Sequence, residues 1–254
     1  SSNMEDLLSN LHQEAQKRNR EIRYFFHYNE PEEEMNQVGT MIRNGYEAVA
    51  VVPNYDESLT AGFYRNLNQG NTKIVLIDNT MVGSFFNYVI QSYDLGINRA
   101  FNYLISKNEG NLLFVKDESW RGKNLVYELI EQSLQHFNSR LRKIRALFVI
   151  SGLRELDREY LIKNKIGGIL CISDTDSLRL VHRLNEWKIK VPDHVSVVSY
   201  GNTELTQSGS LKVTSVDCRY SEMAERTAEL IMSSQNRAGT KQYVLGPELM
   251  IRQT

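Results

Sequence analysis

The sequence predicts an α/β protein made of two doubly wound, parallel-sheet lobes. Short apolar runs of strand type at 48–52, 73–77, 111–115, 168–172 and 195–200 alternate with amphipathic helical patterns, the rhythm of βα units and a parallel sheet. That rhythm breaks at the polar, aromatic stretch 79–87 and then restarts, which gives two sets of units and so two lobes. The 254 residues are 41% hydrophobic and 24% charged, enough apolar material for two cores, and with only four prolines the lobes are joined by ordinary strands and not by a floppy tether.

The elements follow in order. Leu7, Leu8, Leu11 and Ala15 recur at helical spacing behind the cap formers Ser1, Ser2 and Asn3, so the chain opens on an amphipathic helix. A strand is expected at 22–28, then a helix through Met35, Val38, Met41 and Ile42, the strand 48–52, a helix after Asp56 and the strand 73–77. Past the break, 88–90 reads as a short strand entering a helix over 93–106. The second set runs strand 111–115, a helix carrying Leu125, Leu129, Ile130 and Leu134, strand 146–150, a helix ending near Asn164, strand 168–172, helix 174–187 and strand 195–200. Gly167-Gly168 reads as a turn ahead of a strand. It is no phosphate cradle, because the chain has neither Gly-x-Gly-x-x-Gly nor a phosphate-loop lysine motif.

Charge and reactive residues narrow the function. The 30 Lys and Arg stand against 31 Asp and Glu, a net charge of −1, so no summed field draws this chain to nucleic acid or to an anionic membrane. No apolar run approaches the roughly 18 residues that span a bilayer, and the N-terminus lacks a basic-then-apolar secretory pattern. Cys171 and Cys218 stand in no metal-like spacing and read as buried thiols. His12, His27, His136, His182 and His194 show no His–Cys or His–carboxylate spacing of a metal site or triad. No catalytic residue, metal or cofactor is expected.

The most specific wording lies in the C-terminal third. Ile172-Ser173-Asp174-Thr175-Asp176-Ser177-Leu178, the segment 187–190, Val191-Pro192-Asp193-His194-Val195-Ser196-Val197-Val198-Ser199-Tyr200, Val213-Thr214-Ser215-Val216 and Glu248-Leu249-Met250-Ile251-Arg252-Gln253-Thr254 resemble, in order and spacing, the effector domain of LacI/GalR regulators. Segments 46–53, 74–78 and 93–105 are similar to that family's third strand, fourth strand and the helix after the first lobe crossing. The resemblance implies a type I periplasmic-binding-protein fold: two lobes joined by three crossing strands, with ligand in the cleft between them. It implies an N-terminal lobe of 1–90 plus 217–242 and a C-terminal lobe of 91–216 plus 243–254, with crossings near Ile90, Val216 and Tyr243. The family begins with a strand before the first helix and its regulators carry a helix-turn-helix ahead of that. This chain opens on the helix, so both the DNA-binding head and the first strand are expected to lie outside it.

In open α/β sheets, ligands sit off the carboxyl ends of the strands. Those ends are Pro53, Asn54 and Tyr55; Asp78; Ser119, Trp120 and Arg121; Ser151; Ser173 and Asp174; and Gly201 and Asn202. By the resemblance, Asp174 accepts hydrogen bonds from ligand hydroxyls, and Arg121 lies close to a position whose guanidinium holds a sugar oxygen or carboxylate. Trp120 or Tyr55 would offer an apolar platform to a sugar ring. Ser173 and Asp174 also stand where either could cap the following helix. Gln91-Ser92 and Ser199-Tyr200-Gly201-Asn202 stand where the family usually has Asp-Asn and Gly-Tyr-Asp-Asp. Two carboxylates are gone, which leaves room for a phosphorylated, acidic or aromatic effector beside the expected sugar.

The implied function is the effector-sensing, dimerising domain of a cytoplasmic LacI-type regulator. A carbohydrate-like small molecule would be its effector, operator DNA would be reached through an N-terminal head absent from this chain, and the homodimer would match a two-fold operator. Met223, Thr227 and Ile231 lie on a helix face that serves either that interface or packing within a lobe. The same fold serves extracytoplasmic solute-binding proteins, the alternative reading. An enzyme would need a nucleophile and base at the strand ends, which the sequence does not show.

Overall fold

The structure is a computed structural model that describes residues 2–28, 30–54, 57–67, 70–81, 85–118, 125–141, 145–208, 211–232 and 240–254. The chain divides into two units, one of residues 1–91, 122–128 and 219–245, the other of 92–121, 129–218 and 246–254.

Unit 1 holds α1 (Ser2–Lys17), α2 (Pro31–Arg43), β1 (Ala48–Val51), α3 (Glu57–Asn66), β2 (Lys73–Ile77) and β3 (Asn87–Gln91). The chain returns to it for α9 (Tyr220–Met232) and β9 (Gln242–Leu245), the elements between β3 and α9 belonging to unit 2 apart from residues 122–128. Its four strands run in the order β1-β2-β3-β9, all parallel. Strand alternation sorts the core into two layers. Val75 and Ile77 face Leu7 and Leu11 of α1 and Met223 and Ala224 of α9, whereas Ile74 and Leu76 face Val38 of α2 and Tyr64 of α3. Thr227 is buried and Ile231 packs on the α1–α9 layer, so the 223–231 face serves packing within this unit. Helix α2 starts where Pro31 takes the first turn and Glu32, Glu33 and Glu34 meet the positive end of the helix dipole.

Unit 2 holds α4 (Tyr93–Lys107), β4 (Asn111–Lys116), α5 (Leu125–Leu141, from Leu129 on), β5 (Leu147–Ser151), α6 (Arg158–Lys163) and β6 (Ile166–Cys171). It continues with α7 (Asp174–Glu186), β7 (Ser196–Gly201), α8 (Glu204–Gln207), β8 (Thr214–Asp217) and β10 (Glu248–Met250). The sheet order is β10-β8-β7-β6-β4-β5, parallel apart from β10, which runs against β8. One face packs Leu113, Val115, Ile169 and Val197 against Leu161 of α6 and Leu180 and Leu184 of α7. On α4 and α5, Phe101 stacks on Phe137 at 4.9 Å, with Phe114 of β4 beside Phe101. Each such side chain contributes about 1.5–3 kcal/mol on burial.

Two expectations are corrected. Residues 22–28 form no strand. Among the described residues nothing pairs with the outer side of β1, and the stretch lies alongside through side chains only, Arg20 to Glu47 and His27 to the Val52 carbonyl. Without a ladder its aromatic residues stay exposed, Phe26 at 52% and Tyr28 at 84%. Gly167-Gly168 is not a turn ahead of a strand but part of β6. Asn111 pairs with Ile166 and Leu112 with Gly168, so Gly167 is the extra residue of a bulge. A Cβ on Gly167 would meet the backbone of Gly110 at 2.9 Å, which explains the small residues on both strands. No helix among the described residues is long and apolar enough to cross a membrane.

Candidate functional site

In unit 1 the strand ends form a buried polar floor. Asn54, Asp78, Asn79 and Gln91 are all buried there. Asp78 takes a left-handed turn at φ 60°, a conformation Asp and Asn tolerate better than most residues, while its amide donates to the Val89 carbonyl at 3.0 Å. The side-chain amide of Gln91 donates to Asp78 Oδ1 at 3.3 Å, and that of Asn79 donates to the Pro53 carbonyl at 3.4 Å. Gln91 thus serves Asp78, where a second carboxylate would repel it. Ser92 caps α4, its hydroxyl accepting from the Leu95 amide.

Beneath this floor stands Glu34, 1% exposed. Its Oε2 accepts the Asn54 amide at 2.5 Å and its Oε1 accepts the Tyr64 hydroxyl at 2.6 Å. His27 Nδ1 lies 3.9 Å from Oε2, and His27 Nε2 lies 3.0 Å from the Val52 carbonyl. Burial pushes the Glu34 carboxyl above its ordinary value, against the lowering effect of the Tyr64 hydroxyl, the Asn54 amide and His27. Burial, followed by the Glu34 charge, pushes the Tyr64 hydroxyl up as well. The sequence reading missed Glu34, His27 and Tyr64. One signal was available: Glu34 shares the apolar stripe of α2 with Val38, an unusual place for an unpaired acid.

In unit 2 the strand order reverses between β4 and β6, the switch point at which ligands enter such sheets. Asp117 and Glu118 follow β4 and Ser173 follows β6. Burial first, then the charges of Asp117 and Glu118, raise the Asp176 carboxyl, opposed by Arg179. Ser173 caps α7, its hydroxyl accepting the Asp176 amide at 3.4 Å. Ser151 ends the edge strand β5, exposed and one strand removed from the switch point. Tyr55, Ser119, Trp120 and Arg121 lie outside the described residues.

Asp174 has a different place from the one the resemblance implied. Only 1% exposed, its carboxylate faces inward and accepts the Ser199 hydroxyl through Oδ1 and the Thr203 amide through Oδ2 at 2.7 Å, with the Ser215 hydroxyl 3.5 Å from Oδ1. It braces β7, the turn after β7 and β8 from the first turn of α7. Gly201 closes β7 and Asn202 opens the turn, left-handed at φ 62°. Asn202 Oδ1 accepts from Arg252, and its amide donates to Ser215. Burial lowers the Arg252 guanidinium from its ordinary value, opposed by Asp174 and Asp217. The matched tail explains itself here. Thr254 is buried, donates its hydroxyl to the Val197 carbonyl at 2.6 Å and accepts the Thr214 amide at 2.8 Å.

Cys171 and Cys218 are both buried, and burial together with the charges of Asp176 and Asp174 keeps the Cys171 thiol protonated. Among the described residues no three acidic, histidine or cysteine side chains gather as metal ligands would.

Comparison with known proteins supplies the family. Residues 123–254 match the family described as periplasmic binding protein-like domain. A curated relative, the HTH-type transcriptional repressor PurR of Vibrio parahaemolyticus, is 28% identical over 116 residues, which is 42% of this chain and 35% of that protein. The chain spans between about a third and a half of the length of the first curated relatives it matches. Among solved structures, a periplasmic binding protein/LacI transcriptional regulator from Alkaliphilus metalliredigens complexed with D-xylulofuranose superposes with a TM-score of 0.77 at 16% identity, covering 100% of this chain and 94% of that one. A LacI family regulator from Weissella paramesenteroides with bound sucrose gives 0.75 at 14%, with coverage of 100% and 94%. At such identities the superpositions show the fold, of type I periplasmic-binding-protein kind. The match over more than half its length makes this chain a member of the periplasmic binding protein-like domain family.

Proposed function

We propose that this chain senses a small polar effector for a LacI-type transcriptional repressor, as a homodimer in the cytoplasm, and acts on operator DNA through a separate N-terminal head. The family match over 123–254 carries the reading, because it spans Ser173, Asp174, Gly201, Asn202 and Arg252 together. Unit 1 offers Pro53, Asn54 and Asp78 as effector contacts; unit 2 offers Ser173, Gly201 and Asn202, the last two beside the turn that Asp174 braces; Tyr55, Trp120 and Arg121 are further candidates. A carbohydrate or a related phosphorylated metabolite suits these amides, hydroxyls and backbone groups, and the two structural neighbours with bound sugars support that class. Effector control then follows from a difference in its affinity for two states of the dimer.

A thermal-shift screen with sucrose, D-xylulose, sugar phosphates and nucleobases tests this. A true effector at a hundred times its Kd stabilises by about 2.7 kcal/mol. Failure of every compound to raise Tm, together with a monomer in sedimentation, sinks the proposal.

A further inference from the structure

We propose that His27 and Glu34 share a single proton and that this proton holds the 53–54 segment in its ligand-ready position, making effector binding weaken as pH rises. The inference rests on the reading of Pro53 and Asn54 as effector contacts. It begins with the histidine. The Val52 carbonyl, 3.0 Å from His27 Nε2, can only accept, so Nε2 carries a hydrogen. The other ring nitrogen, Nδ1, is buried without a hydrogen-bond partner and points toward Glu34 Oε2 at 3.9 Å. A neutral ring therefore turns a buried lone pair toward a buried carboxylate, although the ring itself is partly exposed. One proton resolves the conflict, either as an imidazolium on His27 or as a carboxylic acid on Glu34.

The same carboxylate oxygen that faces His27 accepts the Asn54 amide at 2.5 Å. Among the described residues, the titratable groups in contact with Glu34 are His27, from the 21–28 segment, and Tyr64, from α3; the third contact is the Asn54 backbone. Tyr64 is held protonated by burial and by Glu34 itself, so it stays a donor and takes no part in the switch. Burial favours the protonated pair, since it penalises a lone charge on Glu34. Loss of the proton leaves an unbalanced carboxylate in the interior, which admits water or turns outward and takes the anchor of Asn54 with it. Glu34 and His27 are thus positioning residues, acting on the effector through the backbone of residue 54.

Protein labelled with 15N-asparagine, its Asn54 signal identified through Asn54→Ala, is titrated by NMR over about pH 5.5 to 8.5. The Asn54 amide and the His27 ring should move with one shared midpoint. His27→Gln and Glu34→Gln should each abolish the movement of the amide while retaining a folded spectrum. An Asn54 amide that stays flat in the parent, or still titrates in His27→Gln, overturns the proposal. With sucrose as probe, affinity should fall about tenfold from the acid to the alkaline end, the equivalent of one hydrogen bond, and stay level in His27→Gln. Absence of sucrose binding at every pH counts against sucrose as effector, while the amide titration decides the proton-sharing pair.

Discussion

Each unit buries a carboxylate under its strand ends, and the two are compensated in different ways. In unit 2, Asp174 is held by fixed dipoles, the Ser199 and Ser215 hydroxyls and the Thr203 amide, and the neighbouring Asn202 turn is pinned by Arg252 and Ser215. In unit 1, Glu34 receives one amide and one hydroxyl and stands against a histidine that is itself ionisable. The first arrangement spreads the charge over donors on several elements and makes a rigid brace. The second leaves the compensation to a proton that can come and go. One fold thus gives two strand-end floors, one braced and one tunable.

Asp174→Ala is the most severe test of that contrast. It strands a buried hydroxyl and a buried amide at once, so urea denaturation should show a loss of about 3 kcal/mol. A variant that unfolds like the parent yet no longer binds effector would mean that the carboxylate reaches the ligand after all, and the contrast between the units would collapse. Thr254→Val, at the other end of the same network, removes one donor and one acceptor that tie the tail to Val197 and Thr214. A loss of about 1–2 kcal/mol is expected in the same assay, with effector affinity unchanged. No measurable loss would show that the brace ends short of the tail.

The smallest effect is a slope. Folding raises the Glu34 carboxyl above its ordinary value of 4.5, so on raising the pH the unfolded chain loses this proton first. Between the two values the native state holds the extra proton, and stability falls as pH rises, by at most about 1.4 kcal/mol per pH unit. Glu34→Gln lacks that fall. The Tm difference between variant and parent should therefore move in the variant's favour as pH rises above about 4.5. A difference that stays constant with pH would place Glu34 in the same class as Asp174.

Most of the fold was legible because apolar periodicity survives in single sequences. Continuous apolar runs at 73–77 and 111–115 marked strands of both sheets, and Leu7 and Leu11 marked the face that α1 buries. The strand expected at 22–28 shows the limit of such reading: its residues have strand character, but a strand exists only where a neighbour completes its ladder, and the stretch meets the residues flanking β1 only through the side chains of Arg20 and His27. The bulge at Gly167 was hidden for a similar reason, since only its partner Gly110 reveals why two glycines adjoin. The candidate residues were legible by position and not by direction. Asp174 does stand just past a strand end, yet which way its carboxylate turns depends on Ser199 and Thr203, 25 and 29 residues away in the chain. Glu34 escaped because α2 precedes the strand whose end it supports.

The return of β9 to unit 1 has a kinetic consequence during synthesis. The strand pairs with β3, yet 151 residues separate Gln91 from Gln242. At ribosomal rates of about 5–20 residues per second, the open edge of β3 waits roughly 8 to 30 seconds for its partner. Throughout that interval the nascent chain offers an unsatisfied strand to any other extended segment nearby. Unit 1 thus stays incomplete until residues 242–245 are made, and the yield of this protein in a cell should respond to translation speed and to chaperones that shield nascent strand edges.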